Sequence, residues 1–290
     1  MRRRLHGGTF FDALNATLLV LVAAICVVPV VHVFAQSFSS EGAILSGRVQ
    51  LWPVEFQLRA YERVFTNTAM IRALLFTVYV TVVGTVVNVV ITALGAYPLS
   101  KRDLVGKRVI WLMILFTMIF SGGLIPLYMV VRSLRLLDTA WALILPGAIA
   151  TFNLILMKTY FSGIPESLAE SARLDGCSEI RILFQIIMPV SMPIIATLAL
   201  FYGVGHWGEY FQALIYIQNP DKYTLQLRLQ QFLENGPGEV SSVVAGDLND
   251  TPVEAMKAAA IVFVTAPVLV VFPFLQKYFV KGALVGSLKE

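Results

Sequence analysis

The chain consists of long apolar runs separated by short charged stretches, and the residues within each run are continuously apolar. A bilayer core about 30 Å thick needs about 20 mostly apolar residues for one spanning helix. Continuous runs favour helices over barrel strands, whose apolar residues alternate. The pattern predicts an all-α polytopic membrane protein with six transmembrane helices, near residues 13–35, 71–97, 109–131, 139–157, 190–217 and 258–280.

Composition agrees with this class, because 57% of the 290 residues are hydrophobic and only 14% are charged. A soluble domain has about a quarter of its residues charged. A cleaved signal peptide is the alternative for the first run, with Val33 and Ala35 as a small-residue cleavage site. That run is longer than the apolar region of a typical signal peptide, so we predict a retained helix.

Basic residues predict the orientation of the helices. They cluster in "MRRRLHGG", in "SKRDLVGKR" and at Lys277, Lys281 and Lys289. With six spans these regions share one side, which the positive-inside rule assigns to the cytoplasm. The predicted cytoplasmic segments are then residues 1–12, 158–189 and 282–290. The predicted external loops are residues 36–70 and 218–257. The net charge of +4 follows from this bias, and no nucleic-acid partner is predicted.

Enzymatic chemistry has no basis in the sequence. His6, His32 and His206 are scattered, and neither a HExxH nor a GxxxxGK[ST] motif occurs. Cys26 and Cys177 fall in different regions and predict no disulfide framework. We therefore predict no enzyme activity and no cofactor or metal in this chain. If ATP drives transport, ATP and magnesium bind to a separate subunit.

The charged segment "ESARLDGCSEIRILFQIIMP", residues 170–189, interrupts the apolar pattern. Ser162 and Pro165 suit the start of a helix, and Gly176 suits its left-handed end. A second helix is predicted from Ser178, and Pro189 ends it before the fifth span. Its predicted apolar face comprises Ile180, Leu183, Phe184, Ile187 and Met188. We predict that these two short helices and their bend bind a complementary surface on another protein. The alternative is a helix that only lies on the lipid surface, but such a helix would carry more basic residues.

The fifth span contains polar and aromatic residues within "YGVGHWGEYFQALIYIQ". A carboxylate at membrane depth costs on the order of 3 kcal/mol and normally faces a cavity or a partner. Candidates for lining a polar solute path, with aromatic faces suited to sugar rings, are His206, Trp207, Glu209, Tyr210 and Gln212. The alternative is that Glu209 lies near the outer interface or pairs with a neighbouring helix. Asn88 and Asn153 are predicted to form hydrogen bonds between helices.

The charged segment also carries a family resemblance. Its pattern is Glu170-Ser171-Ala172, then three residues, Gly176, nine residues and Ile186-x-Met188-Pro189. This pattern resembles the EAA loop of ABC importer permeases. Ser171 replaces an alanine of that pattern and Met188 a leucine. Three further stretches are similar to maltose-permease-like carbohydrate permeases: "FSGGLIPLYMVVRSLRLLDTAWALILPGAI", "AYPLSKRDLVGKR" and "QKYFVKGALVGSLKE". The resemblance covers about residues 60–290.

The resemblance implies a type I ABC importer permease fold over residues 71–281, in a bacterial cytoplasmic membrane. It further implies a second, different permease, two ATPase subunits, an external solute-binding protein and a carbohydrate substrate. The residues it places at the ATPase contact are Glu170, Ser171, Ala172, Asp175, Gly176 and Pro189. Residues 218–257 would meet the binding protein, and 281–290 would reach between the ATPases. A solvated loop is the alternative for 218–257.

The resulting prediction is a permease subunit that forms half of a carbohydrate pathway and couples to its ATPase through residues 162–189. The "FSGGLIPLY" branch resembles oligosaccharide importers, and an acidic polysaccharide such as alginate is one candidate substrate. An ion-coupled secondary transporter is the alternative. It would need several ionisable groups within the membrane, where only Glu209 and two histidines are available. A membrane-embedded enzyme lacks any paired catalytic set.

Overall fold

The computed structural model describes residues 8–235 and 253–287, with side chains for 11–235 and 253–271. The predictions for residues 1–7, 236–252 and 288–290 lie outside this range. The described chain is all-α, as predicted, and has no strand. Its helices are α1 (Gly8–Ser37), α2 (Glu41–Leu45), α3 (Arg59–Thr66), α4 (Thr68–Ser100), α5 (Lys107–Ile119), α6 (Leu124–Ser133), α7 (Trp141–Ile144), α8 (Thr151–Phe161), α9 (Glu166–Leu174), α10 (Glu179–Ile182), α11 (Met188–Val190), α12 (Met192–Trp207), α13 (Phe211–Tyr216), α14 (Leu225–Asn235) and α15 (Val253–Ser287).

The predicted count of six spans is not confirmed. Among the described residues, three helices are long and apolar enough to cross a membrane: Phe11–Ser37, Thr68–Ser100 and Val253–Val271. Two bent pairs raise the count to at most five if each pair is one span. The pair α5 and α6 bends by 113°, and Glu179–Val190 bends by 89° against α12.

Backbone breaks explain the difference from the hydropathy pattern. Gly123 lies at the bend between α5 and α6 with φ +82°. Pro146 and Gly147 lie between α7 and α8, where a continuous span was predicted. Proline lacks an N–H donor and disfavours helix in the residue before it, whereas hydropathy registers neither effect.

The chain divides into two compact units, and the first combines Met1–Thr68 with Leu229–Ala266. After α1 the chain turns back on a small core of Ala35, Ala43 and Val49. The Glu41 carboxylate accepts hydrogen bonds from the N–H groups of Glu254, at 3.1 Å, and Ala255, at 3.2 Å. These bonds satisfy N–H groups that the first turn of α15 leaves without a helical partner.

The second unit, Ala69–Arg228 with Pro267–Glu290, contains two larger cores. One core joins α4, α8, α9, α10 and α12, and Ala93, Ala96, Met157 and Leu198 are fully buried in it. The other joins α4, α7 and α13 around Val80, Leu143 and Tyr216. Small residues such as Ala93 and Ala96 let helices approach closely, which is the usual basis of packing in membranes. Helix α4 contributes to both cores.

Candidate functional site

Loop 158–189 contains a helix, a bend and a second helix, as the sequence predicts. Gly176 has φ +78°, and the N–H of Cys177 donates to the Ala172 carbonyl at 3.0 Å. This left-handed glycine and its backbone bond close the end of α9. Ser178 Oγ accepts from the Arg181 N–H at 3.4 Å and caps α10. The predicted bend at Gly176 and the second helix from Ser178 are therefore confirmed.

Two details of the predicted loop are wrong, and one is confirmed. Ser162 ends α8 instead of starting α9, since its hydroxyl donates to the Lys158 carbonyl at 3.0 Å. Pro165 does stand at the start of a helix, as predicted, because it occupies the N-cap position and α9 begins at Glu166. The second loop helix runs from Glu179 through Pro189 to Val190, so the bend before the fifth apolar run falls at Ser191.

The apolar face of the second helix agrees with the prediction at Leu183 and Ile187 and differs from it at Ile180 and Ile182. Ile182, Leu183 and Ile187 are buried, whereas Ile180 is 66% exposed. A π-helical turn follows over Leu183–Ile187, in which the Met188 N–H donates to the Leu183 carbonyl. An i to i+5 bond winds the chain more widely than an α-helix, so the positions after Leu183 do not follow a period of 3.6 residues per turn.

The residues predicted at the ATPase contact lie on α9, at the bend that follows it and at Pro189 of α11, and they differ in burial. Ala172 is buried beside Ala169 and attaches the helix to the larger core. Glu170, Ser171, Asp175, Gly176 and Pro189 are exposed. Leu174 is 90% exposed, and the sequence reasoning missed it because a single leucine beside charged residues gives no pattern. The buried face of α9 is thus attached to the core, and its exposed face is accessible to a partner protein.

Glu179 is a further residue that the sequence reasoning missed. The Tyr97 hydroxyl donates to Glu179 Oε2 at 2.6 Å, and Arg173 Nε donates to Oε1 at 2.6 Å. These two bonds, that of Arg173 first, hold the pKa of Glu179 below its ordinary value. The only sequence signal was the opposite charge of Arg173 and Glu179 on either side of the bend. Nothing in the sequence pointed to Tyr97.

Two further polar contacts connect α4 to α12. Thr92 Oγ1 and the Tyr202 hydroxyl are 2.8 Å apart, and Asn88 Nδ2 lies 3.0 Å from His206 Nε2. The predicted interhelical role of Asn88 is confirmed, and Asn153 is buried. A Cβ atom on Gly84 would lie 2.6 Å from His206 Nε2, so a larger residue there would require the imidazole to move. His206 is buried in this helix contact.

The other pathway candidates lie in two places. Trp207 lines a groove of about 400 Å³, together with residues of α4 and α15. Glu209 Oε1 accepts from the Gln212 N–H at 2.9 Å at the start of α13, and its carbonyl accepts from Thr224 Oγ1 at 2.9 Å. Tyr210 and Gln212 are half-buried near it. The structure thus brings Glu209 and Gln212 together and places Trp207 on the groove; a pathway role for these residues stays a prediction.

Apolar spanning helices combined with an exposed, charged helix–bend–helix define the membrane-embedded component of a transporter. The family model described as "Binding-protein-dependent transport system inner membrane component" matches residues 109–285, and the chain belongs to this family.

Individual relatives agree with this membership. The chain is 45% identical over 285 residues to the polygalacturonan/rhamnogalacturonan transport system permease protein YtcP of Bacillus subtilis (strain 168), covering 96% of this chain and 98% of that protein. It is 43% identical over 288 residues to protein LplC of the same strain, covering 97% and 96%. The crystal structure of a bacterial ABC transporter involved in the import of the acidic polysaccharide alginate contains a similar chain. The TM-score is 0.88 at 34% identity, and the match covers 96% of this chain and 100% of that one.

The predicted resemblance is therefore confirmed. The protein is a permease component of an ABC importer, it belongs to the inner membrane, and it is a transport subunit, not an enzyme. The alternative of an ion-coupled secondary transporter is not favoured, since the relatives are ABC permeases.

Proposed function

We propose that this permease forms half of the pathway of an importer for acidic oligosaccharides, and that a second, different permease forms the other half. The observation that carries the proposal is the 45% identity to a permease named for polygalacturonan and rhamnogalacturonan transport. The alginate importer, 34% identical, is also named for an acidic polysaccharide. Galacturonan and alginate share uronate units, so the substrate class we propose is an oligouronate.

Glu209 is compatible with an anionic substrate. A free carboxylate in the pathway would repel a uronate. Here, Glu209 Oε1 accepts a hydrogen bond from the Gln212 N–H, so the charge is engaged by the first turn of α13. Glu209 lies one residue before the N-cap Tyr210, and its negative charge is partly offset by the backbone donor.

In this proposal residues 162–189 bind the ATPase. The exposed side chains of Glu170, Leu174 and Asp175 offer charge and apolar surface, while buried Ala172 anchors the same helix. ATP and magnesium bind to the partner, of which the complex contains two copies, and closure of the ATPase pair is passed to the spans. Such coupling requires nucleotide to bias two conformations of the permease through this contact.

The same proposal sets the orientation. The basic stretches support a cytoplasmic side for both termini and loop 158–189. Residues 36–70 and 218–257 then face outward, where the solute-binding protein delivers the sugar.

The test is reconstitution of the full complex, with its second permease, ATPase and binding protein, in proteoliposomes. Oligogalacturonides or alginate oligosaccharides are expected to stimulate ATP hydrolysis and to accumulate inside. Neutral malto-oligosaccharides of the same length are the matched control and should do neither. Stimulation by the neutral sugars alone would contradict the substrate class, and transport by this chain without an ATPase would contradict the assembly.

A further inference from the structure

We infer that Glu179 is a positioning residue that joins the bend of loop 158–189 to helix α4, so that movement of the bend is passed to the spanning helices. The inference rests on the proposed coupling role of that loop. It assigns the connection to one carboxylate and one tyrosine.

The geometry around Glu179 links three helices. Arg173 lies in the last turn of α9, Glu179 in the first turn of α10, and Tyr97 in the last turn of α4. Each carboxylate oxygen takes one donor at 2.6 Å, from Tyr97 and from Arg173. Hydrogen bonds with an ionised partner are shorter and stronger than neutral ones. Lys101 directly follows α4, and its Nζ lies 4.6 Å from the centre of the Tyr97 ring.

The Arg173–Glu179 pair is not needed to hold the loop together. The two side chains are 38% and 52% exposed, and exposed ion pairs contribute little to stability. Apolar burial of Ala169, Ala172 and Ile182 already attaches α9 and α10 to the core. Tyr97 differs, because its side chain is buried and its hydroxyl needs an acceptor. The carboxylate therefore sets the position of the bend relative to α4 more than it stabilises either helix.

Helix α4 carries the connection further. Thr92 bonds to Tyr202, and Asn88 bonds to His206, both on α12. The Tyr202 hydroxyl also accepts from the Ala150 N–H at 3.2 Å, which adds the start of α8. Side-chain bonds at three levels of one continuous helix thus connect the bend with two other helices. In this inference a shift at Glu179 is passed to α12 through α4.

The test uses the full complex in proteoliposomes and the variants Tyr97→Phe and Glu179→Gln, alone and combined. ATP hydrolysis is measured without and with sugar-loaded binding protein, together with sugar transported per ATP hydrolysed. Stimulation is expected to fall by about tenfold in both variants, the size expected for losing one charge-assisted hydrogen bond. In Tyr97→Phe, whose residue lies on α4 outside residues 162–189, basal hydrolysis should stay within about twofold of the wild type. The double variant should be no worse than Tyr97→Phe alone, because without the Tyr97 hydroxyl the side chain at position 179 has no bond to α4 left to lose.

Matched controls separate this role from a general loss of structure. Tyr160→Phe alters a half-buried tyrosine of the same core, whose hydroxyl has no hydrogen bond among the described residues. Glu62→Gln removes an exposed carboxylate on α3. Both should couple normally. The exchange Arg173→Glu with Glu179→Arg keeps an ion pair across the bend but gives Tyr97 no carboxylate, so it should not restore coupling.

Several outcomes would overturn the inference. Normal stimulation in Tyr97→Phe would do so, and so would rescue by the charge exchange, which would show that the ion pair alone suffices. If Glu179→Gln fails to assemble, the assembled Tyr97→Phe complex decides. A wild-type complex that neither hydrolyses ATP nor transports sugar would instead contradict the proposed function, so the two failures are distinguishable.

Discussion

Asp138 forms hydrogen bonds between two connecting segments, its own and the one at residues 216–219, which are far apart in the sequence. Its Oδ1 accepts from the N–H groups of Gln218, at 2.6 Å, and Asn219, at 2.9 Å. Its own N–H donates to the Tyr216 carbonyl at 3.0 Å. The residue has φ +59°, a region that aspartate and asparagine tolerate better than other non-glycine residues. The N–H groups of Asn219 and then Gln218 lower the pKa of Asp138 below its ordinary value.

We predict that Asp138→Ala loosens residues 217–220, whereas Asp138→Asn preserves most of their order. Asparagine keeps an Oδ1 acceptor and tolerates the positive φ, but alanine does neither. The loss for alanine is about 1 kcal/mol, because the site is partly solvated. Hydrogen-exchange protection of the Gln218 and Asn219 amides, in the permease in nanodiscs, measures the effect. Equal protection in both variants would contradict the role of the side-chain acceptor.

The same carboxylate predicts a pH dependence. Because its pKa is lower in the folded protein than in the unfolded chain, its stabilising contribution is present above the ordinary aspartate pKa of about 3.9 and is lost as pH falls through the folded value. Protection of these amides, corrected for intrinsic exchange, should therefore decrease below about pH 4 in the wild type. In Asp138→Asn it should not change over that range.

Residue-level contacts divide into those that the sequence predicts and those that it does not. The left-handed Gly176 was predictable, because a glycine after a helical pattern marks a common helix end. The bond between Tyr97 and Glu179 joins residues 82 positions apart, and that between Asp138 and Gln218 joins residues 80 apart. No local periodicity relates such pairs, so only the packed structure reveals them.

At the scale of elements, Gly84 sets how closely α4 and α12 approach. The neighbouring imidazole of His206 is buried and bonded to Asn88, so it has little freedom to move away. Gly84→Ala is expected to break that bond and to destabilise the permease by about 1–3 kcal/mol, as for overpacking elsewhere. The thermal midpoint of the purified permease in detergent measures the change.

Two variants test this interpretation. Gly205→Ala is the matched control, since a Cβ on that α12 glycine meets nothing within 4 Å. It should be neutral or slightly stabilising, because alanine is the better helix former. His206→Ala combined with Gly84→Ala removes the clash and should recover part of the loss. A midpoint for Gly84→Ala equal to that of the control would show that His206 yields freely.

Helix positions were predictable from hydropathy where the backbone is continuous. The second run was predicted at 71–97, and α4 spans Thr68–Ser100. The runs at 109–131 and 139–157 failed as single helices, because Gly123 and the Pro146–Gly147 pair interrupt the backbone without interrupting the apolar character. The π-helical turn at Leu183–Ile187 has no sequence signal of its own, and it breaks the period of 3.6 residues on which the predicted face was based.

At the scale of the whole unit that contains it, α4 connects two opposite regions. Near its start, Arg72 pairs with Asp221 at 2.8 Å, and Thr77 Oγ1 accepts from the Leu225 N–H at 2.7 Å. Near its end, Tyr97 holds Glu179. A 33-residue helix is about 50 Å long, which is enough to span the bilayer and extend beyond it. The segment before α14 and loop 158–189 are thus attached to the two ends of one helix.

Assembly with the ATPase supplies the last prediction. Leu174 is 90% exposed beside the bend, and complete burial of a leucine side chain is worth about 1.5–3 kcal/mol. If the ATPase covers it, Leu174→Asp should weaken retention of the ATPase by about 10- to 100-fold, while the permease itself folds normally because the side chain has no core contacts to lose. Co-purification of the ATPase and its titration against the permease in nanodiscs measure the affinity. Val105→Asp, at a valine 92% exposed between α4 and α5, is the control that should retain the ATPase. Equal affinity in both variants would exclude Leu174 from the contact and shift the interface toward Glu170 and Asp175.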